Sequence, residues 1–197
     1  MIAIIDYGAG NLRSVENTLD EIGARYQVLR GPDGLDRAGK IILPGVGHFG
    51  QMMRALDDRR LREPLIDAIR SGVPFLGICL GLQGLFTESE EAADVRGLEL
   101  FPGTVRRFPA GARVPHMGWN ELERRADSRL LSGLPDRPYV YFAHSYYVPE
   151  TDATAAACTY GPSYTAILER DNVFGVQFHP EKSGSIGLRI VKNFLEL

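Results

Sequence analysis

The sequence predicts an α/β fold: a single domain over residues 1–197 in three layers, with a largely parallel central sheet flanked by helices and a strand-rich second half. Strand-like and helix-like segments alternate along the first half with short links. Hydrophobic residues make up 44% of the chain, enough for a sizeable core. Strand-like stretches separated by turn residues then dominate until a final helix-like segment.

The chain begins with a predicted βα unit. Ile2–Ile5 is an apolar strand, and the turn Asp6–Asn11 follows it. Gly23 is the expected end of the helix that comes next. The apolar residues of that helix recur on one face: Leu12, Val15, Leu19 and Ile22.

Further alternation completes the first half. Tyr26–Leu29 and Lys40–Leu43 are predicted strands, and apolar spacing over Leu61–Ile69 predicts a helix that Ser71 and Gly72 end. This order is typical of a parallel sheet with helices on both faces. Such sheets bind ligands at the carboxyl ends of their strands, so we expect the functional site there.

One cysteine lies at such a strand end. Val73–Ile78 predicts a buried strand and Leu80–Phe86 a helix, which places Cys79 on the sharp turn between them. Gly77 and Gly81 remove the side chains that would collide across this turn, as in a nucleophile elbow. The helix N-terminus would favour a reactive thiolate. Cysteine is also a common small core residue, so the pattern alone leaves a structural role open.

The second half predicts mostly strands. The final helix is predicted from Ile186, Ile190, Val191 and Phe194, with Gly184 and Ser185 in front of it. The acidic run Glu88–Asp94 is expected to be a solvated loop. The strand-like stretches are Leu98–Phe108, Val114–Leu122, Tyr139–Val148, Thr154–Tyr160 and Tyr164–Phe178.

A histidine and a glutamate leave one predicted strand end together. Val176–Phe178 leads into His179 and, two residues later, Glu181, which could orient the imidazole that takes the proton of Cys79. An isolated histidine is more often a surface or core residue. In combination with the elbow, however, the pair predicts a Cys79, His179, Glu181 triad.

A glycine-rich segment admits two interpretations. Gly45–Gly50 matches the G-x-G-x-x-G pattern that binds dinucleotide pyrophosphates. That pattern belongs after the first strand of its fold, whereas this copy follows the third, and no acidic residue clearly ends the next strand. The alternative is a flexible run of backbone N–H groups beside Cys79, as an oxyanion hole requires.

Composition excludes several classes of protein. The formal net charge is −3 and the 22 Lys and Arg residues are scattered, so neither nucleic acid nor an anionic membrane is an expected partner. Cys79 and Cys158 lie far apart, which fits a reducing compartment. The N-terminus has no basic leader and no apolar run reaches about 18 residues, so we expect a cytoplasmic protein. The spacing of the remaining histidines predicts no metal site: His48, His116 and His144.

These motifs resemble a known family. Gly77–Gln83 together with Phe178–Glu181 is similar to the class I (triad) glutamine amidotransferases, flavodoxin-like domains that hydrolyse glutamine to glutamate and ammonia. Leu82 stands where methionine is usual, an apolar exchange of similar volume. Three further stretches resemble the subfamily of glutaminase subunits that serve imidazole glycerol phosphate synthases in histidine biosynthesis: Asp6–Asn11, Pro44–Gly50 and Pro115–Asn120.

The resemblance implies a role for each matching position. Cys79 would be the nucleophile, His179 its base and Glu181 the orienting carboxylate. Backbone N–H groups of Val46 and Leu80 would hold the oxyanion, and no cofactor is expected. The residues implied in substrate binding are Gly45, Gln83, Ser145 and Tyr146.

The resemblance also implies a partner, because the chain has no convincing means of using ammonia itself. In this subfamily the partner is a (β/α)₈-barrel cyclase that receives ammonia through an internal tunnel. Trp119, Asn120 and Lys182 are candidates for a heterodimer interface. Two alternatives remain: another synthase, such as the one making pyridoxal phosphate, and a redox or chaperone-like protein with an elbow cysteine. His179 and Glu181 argue against the latter, which needs neither.

Overall fold

The computed structural model describes residues 1–9 and 11–197, so Gly10 of the predicted Asp6–Asn11 turn lies outside the described residues. The helices are α1 (Leu12–Ile22), α2 (Phe49–Asp58), α3 (Arg62–Arg70), α4 (Leu80–Gln83) and α5 (Gly184–Leu195). The strands are β1 (Ile2–Ile5), β2 (Tyr26–Leu29), β3 (Lys40–Gly45), β4 (Phe75–Cys79), β5 (Phe86–Ser89), β6 (Phe101–Arg107), β7 (His116–Glu121), β8 (Glu123–Arg124), β9 (Tyr139–His144), β10 (Tyr146–Tyr147), β11 (Thr154–Thr159), β12 (Ser163–Arg170) and β13 (Val173–Val176).

The central sheet has the strand order β2-β1-β3-β4-β13-β12-β11-β8. The first five strands of that order run parallel, and β12, β11 and β8 continue the sheet antiparallel. Two smaller sheets lie outside it, with the orders β10-β6-β5 and β7-β9. The prediction of a largely parallel sheet with a strand-rich second half is therefore confirmed.

Helices cover both faces of this sheet, because successive strand residues point to opposite sides. Ile4 and Leu76 belong to the apolar core that also contains residues of α1 and α5. Their neighbours Ile5 and Phe75 belong to the core formed with α2 and α3. The three predicted layers are confirmed, and β4 is buried along its whole length.

The segment after Cys79 differs from the prediction. The helix α4 ends at Gln83 instead of reaching Phe86, and the chain turns at Gly84 into β5. The start of β5 carries aromatic and β-branched residues, which favour a strand, and it pairs with β6. Part of the acidic run that was expected to form a loop therefore lies in β5. Gly97 packs against the backbone of β5, and a Cβ at Gly97 would lie 1.9 Å from the Phe86 carbonyl oxygen.

Candidate functional site

The turn at Cys79 is built by backbone packing. A Cβ at Gly77 would lie 2.5 Å from the backbone of Gly81, and a Cβ at Gly81 would lie 2.0 Å from the carbonyl oxygen of Leu43. Only glycine fits at these two positions. Cys79 itself has φ of 53°, a left-handed value that is strained for a residue with a side chain. The turn leaves Cys79 at the wall of a cavity.

Behind the cysteine, His179 and Glu181 form a buried pair. Nδ1 of His179 lies 2.9 Å from Oε1 of Glu181, and the side chains are only 4% and 3% exposed. Burial alone would lower the pKa of His179, but hydrogen bonds to Cys79 and Glu181 raise it to about 10. The imidazole is therefore cationic at neutral pH, between a sulfur on one side and a carboxylate on the other.

Ser183 fixes the His179 loop against β9, and the sequence analysis missed it. Its Oγ donates to the His179 carbonyl at 2.7 Å and accepts from the Tyr141 N–H at 3.0 Å. The His179 N–H donates in turn to the Tyr141 carbonyl at 2.9 Å. In the sequence, Ser183 is only a small polar residue before the last helix. At such a position a serine is ordinarily interpreted as a helix N-cap.

A cavity of about 200 Å³ opens beside Cys79. It brings together residues from the β3–α2 connection, α4 and the β9–β10 connection, which lie far apart in the sequence. Most of the predicted binding and oxyanion residues line it. Its lining residues are Val46, Gly47, Cys79, Leu80, Gln83, Glu91, Pro115, Met117, Ala143, His144, Ser145 and Tyr146.

The candidate oxyanion segment runs alongside the elbow. Gly45 is the register partner of Cys79 in the β3–β4 pairing, and a Cβ there would lie 2.7 Å from the Leu80 Cβ. This close approach, which only glycine permits, sets the segment that begins with Val46 against the start of α4. The buried Tyr7 hydroxyl donates to the Val46 carbonyl at 3.4 Å, so the resemblance motif Asp6–Asn11 contacts this segment.

Gln83 is buried at the cavity wall and its amide nitrogen is engaged within the protein. It donates to the Tyr146 carbonyl at 2.8 Å and to Oε1 of Gln177 at 3.1 Å. The amide oxygen is therefore the atom that Gln83 can offer to a ligand. Gln177, which the sequence analysis did not single out, donates from Nε2 to the Cys79 sulfur at 3.6 Å.

Glu91 was expected in a solvated loop, but its side chain lines the cavity. The carboxylate accepts a hydrogen bond of 2.7 Å from the N–H of Phe49, at the start of α2. A carboxylate held at a helix N-terminus is well positioned, and at a cavity wall it can bind an ammonium group. An acidic run in the sequence carries no signal that separates this glutamate from its neighbours.

One face of the β7–β9 pair is exposed and apolar. Met117, Trp119 and Tyr139 are 64%, 56% and 55% exposed, and the Lys182 Nζ lies 5.8 Å above the ring of Tyr141. We call the side chains of these five residues, of which Tyr141 is half-buried, the hairpin face. Met117 also lines the cavity.

Asn120, the third predicted interface residue, is engaged within the chain. Its amide donates to the Thr159 carbonyl at 3.1 Å, and its oxygen accepts from the N–H of Glu121 at 2.8 Å. Within residues 1–9 and 11–197, no group of three or more His, Cys, Asp or Glu side chains is arranged to hold a metal ion. In the same residues, no helix combines the length and apolar character needed to cross a membrane.

Comparison with solved structures supports the fold. A structure described as a glutamine amidotransferase superposes with a TM-score of 0.79, at 18% identity, and covers 100% of this chain and 98% of that chain. The structure of PurLQS from Thermotoga maritima gives a TM-score of 0.76 at 20% identity, covering 99% of this chain and 97% of that one.

Sequence comparison is more specific. "Imidazole glycerol phosphate synthase subunit HisH" of Methanothermobacter thermautotrophicus is 52% identical over 100% of this chain and 98% of its own length. The protein of that name from Desulfitobacterium hafniense strain Y51 is 52% identical over 98% of this chain and 93% of its own. The family model for class-I glutamine amidotransferases matches residues 3–197. The chain therefore belongs to the class I glutamine amidotransferase family, as its motifs predicted.

Proposed function

We propose that this chain is the glutaminase subunit of an imidazole glycerol phosphate synthase, which hydrolyses glutamine and passes the ammonia to a cyclase partner in histidine biosynthesis. One observation carries the proposal: Cys79 lies on a glycine-packed turn beside the buried His179–Glu181 pair, at the wall of a cavity of about 200 Å³. The names of relatives at about half identity supply the pathway.

The first half of the reaction forms a thioester. The Cys79 thiolate attacks the side-chain amide carbon of glutamine, and the tetrahedral oxyanion is held by the N–H groups of Val46 and Leu80. Leu80 begins α4, where the first N–H groups have no acceptor inside the helix. The cationic His179 then gives its proton to the departing nitrogen, and ammonia leaves.

The second half releases glutamate. His179, now neutral, takes a proton from water, which attacks the thioester carbonyl, and the Cys79 thiolate leaves as His179 becomes cationic again. Glu181 holds the imidazole orientation through Nδ1. Because Oε2 of Glu181 is buried with no hydrogen-bond partner among the described residues, the charge of the carboxylate acts mainly on His179.

The cavity wall suits the amino-acid end of glutamine. The carboxylate of Glu91 and the free amide oxygen of Gln83 are acceptors, which fit the α-ammonium group. Ser145 and Tyr146 line the same cavity and are proposed to hold the rest of this end. Gly45 contributes by the close approach of its backbone to the elbow.

The hairpin face is the proposed docking surface for the cyclase, which we take to be a (β/α)₈ barrel. Ammonia released into neutral water is mostly protonated and unreactive, so the partner must cover the exit of the cavity. Met117 meets this requirement because it is both exposed and part of the cavity wall. Trp119 and Lys182 extend the same surface, whereas Asn120 supports it from within the chain. We place the complex in the cytoplasm.

The test is a glutaminase assay of the chain with its cognate cyclase. Cys79→Ala should abolish glutamate release, by at least about 10⁴-fold, while ammonia-dependent synthesis by the complex continues. Cys158→Ala, at a buried cysteine on β11, is the matched control and should retain most of the activity. Substantial glutamine turnover by folded Cys79→Ala would contradict the assignment, and so would the absence of turnover in the wild-type complex.

A further inference from the structure

We propose that Gln177 is a positioning residue that directs an N–H donor at the Cys79 thiolate, and that a chain of buried hydrogen bonds allows it no other orientation. The proposal deepens the proposed function, since it rests on Cys79 being the nucleophile. Gln177 is fully buried between the end of β13 and His179, and its Nε2 lies 3.6 Å from the sulfur.

The orientation follows from the Tyr146 carbonyl, which can only accept hydrogen bonds. The side chain of Gln83 lies 2.8 Å from this oxygen and must present its NH₂ group there. The same NH₂ group lies 3.1 Å from the Gln177 amide, so the Gln177 atom that faces it must be the oxygen. The NH₂ group of Gln177 is thereby left facing Cys79.

A second donor to the Tyr146 carbonyl, from His144, supports the same orientation of the Gln83 and Gln177 amides. Nδ1 of His144 lies 2.8 Å from the Tyr146 oxygen and must carry a hydrogen. Burial lowers the pKa of His144 to about 3, so the ring is neutral and its Nε2 accepts from the Tyr164 hydroxyl at 3.2 Å. Nδ1 of His116 lies 3.1 Å from that hydroxyl and donates to it.

Both lone pairs of the Tyr146 carbonyl are therefore occupied by donors, one from Gln83 and one from His144. Reversing the Gln177 amide alone would set its NH₂ group against that of Gln83, and reversing both amides would set the Gln83 oxygen against the Tyr146 oxygen. Both side chains are buried from water, which therefore does not compensate for such a mismatch. The donors and acceptors of this chain of hydrogen bonds can therefore be arranged in only one direction. The last donor of the chain, the NH₂ group of Gln177, faces the Cys79 sulfur.

A donor aimed at sulfur stabilises the thiolate more than the thiol, because hydrogen bonds to charged acceptors are stronger. The titratable groups that share the surroundings of the sulfur are His179, Tyr7 and Tyr164, together with Glu91 and His144, which line the same cavity. Burial raises the pKa of both tyrosines, which therefore stay neutral. His179 supplies the positive charge, and Gln177 supplies a neutral donor from another direction.

The test measures thiolate formation directly. We would follow alkylation of Cys79 by iodoacetamide in the full-length chain against pH, with peptide mass spectrometry to separate Cys79 from Cys158. Gln177→Met, which keeps the volume and removes the donor, should raise the midpoint by about one pH unit, so that alkylation below the midpoint is about tenfold slower. Gln27→Met, at an exposed glutamine on β2, is the matched control and should leave the midpoint unchanged.

A second measurement needs no substitution at Gln177. In the ¹⁵N-labelled wild type, the side-chain NH₂ signals of Gln177 should shift with pH at the Cys79 midpoint, and Cys79→Ser should abolish that shift. A midpoint in folded Gln177→Met within about 0.3 pH units of the wild type, or NH₂ signals that ignore Cys79 ionisation, would overturn the proposal. Neither readout requires turnover, so the inference and the glutaminase assignment can fail separately.

Discussion

Two walls of the cavity are held in place by different interactions. The elbow wall, formed by Gly45–Gly47 and Cys79–Gln83, is positioned by backbone segments in van der Waals contact, with no room for a Cβ at Gly45 or Gly81. The other wall, His144–Tyr146, which we call the His144 wall, is positioned by side-chain hydrogen bonds among buried aromatic residues. The packing of the elbow wall leaves no space for additional side-chain atoms, whereas the hydrogen bonds of the other wall require particular protonation states of its histidine.

This difference determines what each wall tolerates. Backbone contacts at the elbow do not depend on pH, but one added methyl group must displace main chain. In the His144 wall, burial favours the neutral form of His144, and it does the same for His116, which contacts the same Tyr164 hydroxyl. A proton on either ring therefore disturbs this wall more than a small change of volume does. We therefore expect steric overlap to disrupt the elbow wall and protonation to disrupt the His144 wall.

The largest expected effect is at Gly81. Gly81→Ala would place its Cβ 2.0 Å from the Leu43 carbonyl oxygen, a contact that only movement of β3 or α4 can relieve. We expect the variant to be unfolded or destabilised by more than about 3 kcal/mol in urea unfolding. Gly31→Ala is the matched control, since its Cβ would meet only a backbone oxygen at 4.0 Å. Equal stability of the two variants would mean that the elbow is not held by close packing.

The elbow could be predicted from the sequence because its geometry depends on residue types that are rarely used otherwise. Glycines two residues before and after a cysteine, at the end of an apolar run, leave few other structures, and both glycines are indeed in contact with backbone. The His179–Glu181 pair was predictable for a similar reason, since two residues that leave one strand end together remain close. The structure places them 2.9 Å apart.

The rest of the site could not be predicted in this way. Gln177, Ser183 and Glu91 act through hydrogen bonds to residues distant in the sequence, and a buried glutamine carries no local pattern. The length of α4 was wrong for a related reason. Apolar residues continue through Phe86, so periodicity alone predicted a longer helix, whereas pairing of β5 with a distant strand ends it.

A second prediction concerns a conformational change within the elbow wall, at the peptide between Gly45 and Val46. Gly45 and Gly47 flank Val46, so the peptide between Gly45 and Val46 can rotate at low cost. We expect a resting state in which that peptide turns its carbonyl towards the oxyanion position, and an active state, favoured by the cyclase and its ligand, in which the Val46 N–H points there. Tyr7 holds the following peptide through the Val46 carbonyl and would act as the pivot.

Loss of one oxyanion donor costs about a hundred- to a thousandfold in turnover, so the partner with its acceptor ligand should stimulate glutaminase by at least that factor. Val46→Pro removes the N–H and should leave the stimulated rate near the resting rate. Val46→Ala keeps the N–H and should retain most of the stimulation. Steady-state glutamate release with and without the loaded partner measures all three proteins. Full activity of the isolated wild-type chain would contradict this account.

The smallest expected effect concerns the protonation of the two buried histidines that contact Tyr164. Burial lowers the pKa of His116 to about 4 and that of His144 to about 3, whereas both would titrate near 6.5 in the unfolded chain. At pH values between the folded-state and unfolded-state pKa, the histidines bind protons in the unfolded chain but not in the folded protein. The contribution of both histidines to stability is therefore complete above pH 6.5 and is lost as the pH falls towards 4.

Each neutral histidine should add about 1.4 kcal/mol per pH unit to the slope of the unfolding free energy near pH 5, or about 2.7 kcal/mol for both. His116→Asn keeps a polar group near Tyr164 but removes one titrating site, so the slope between pH 4.5 and 5.5 should fall by about half of this contribution. Urea unfolding of both proteins at several pH values measures it, and groups common to both cancel in the difference. Parallel curves for the two proteins would show that His116 binds its proton equally well in the folded and the unfolded state, which would contradict the effect of burial on this histidine.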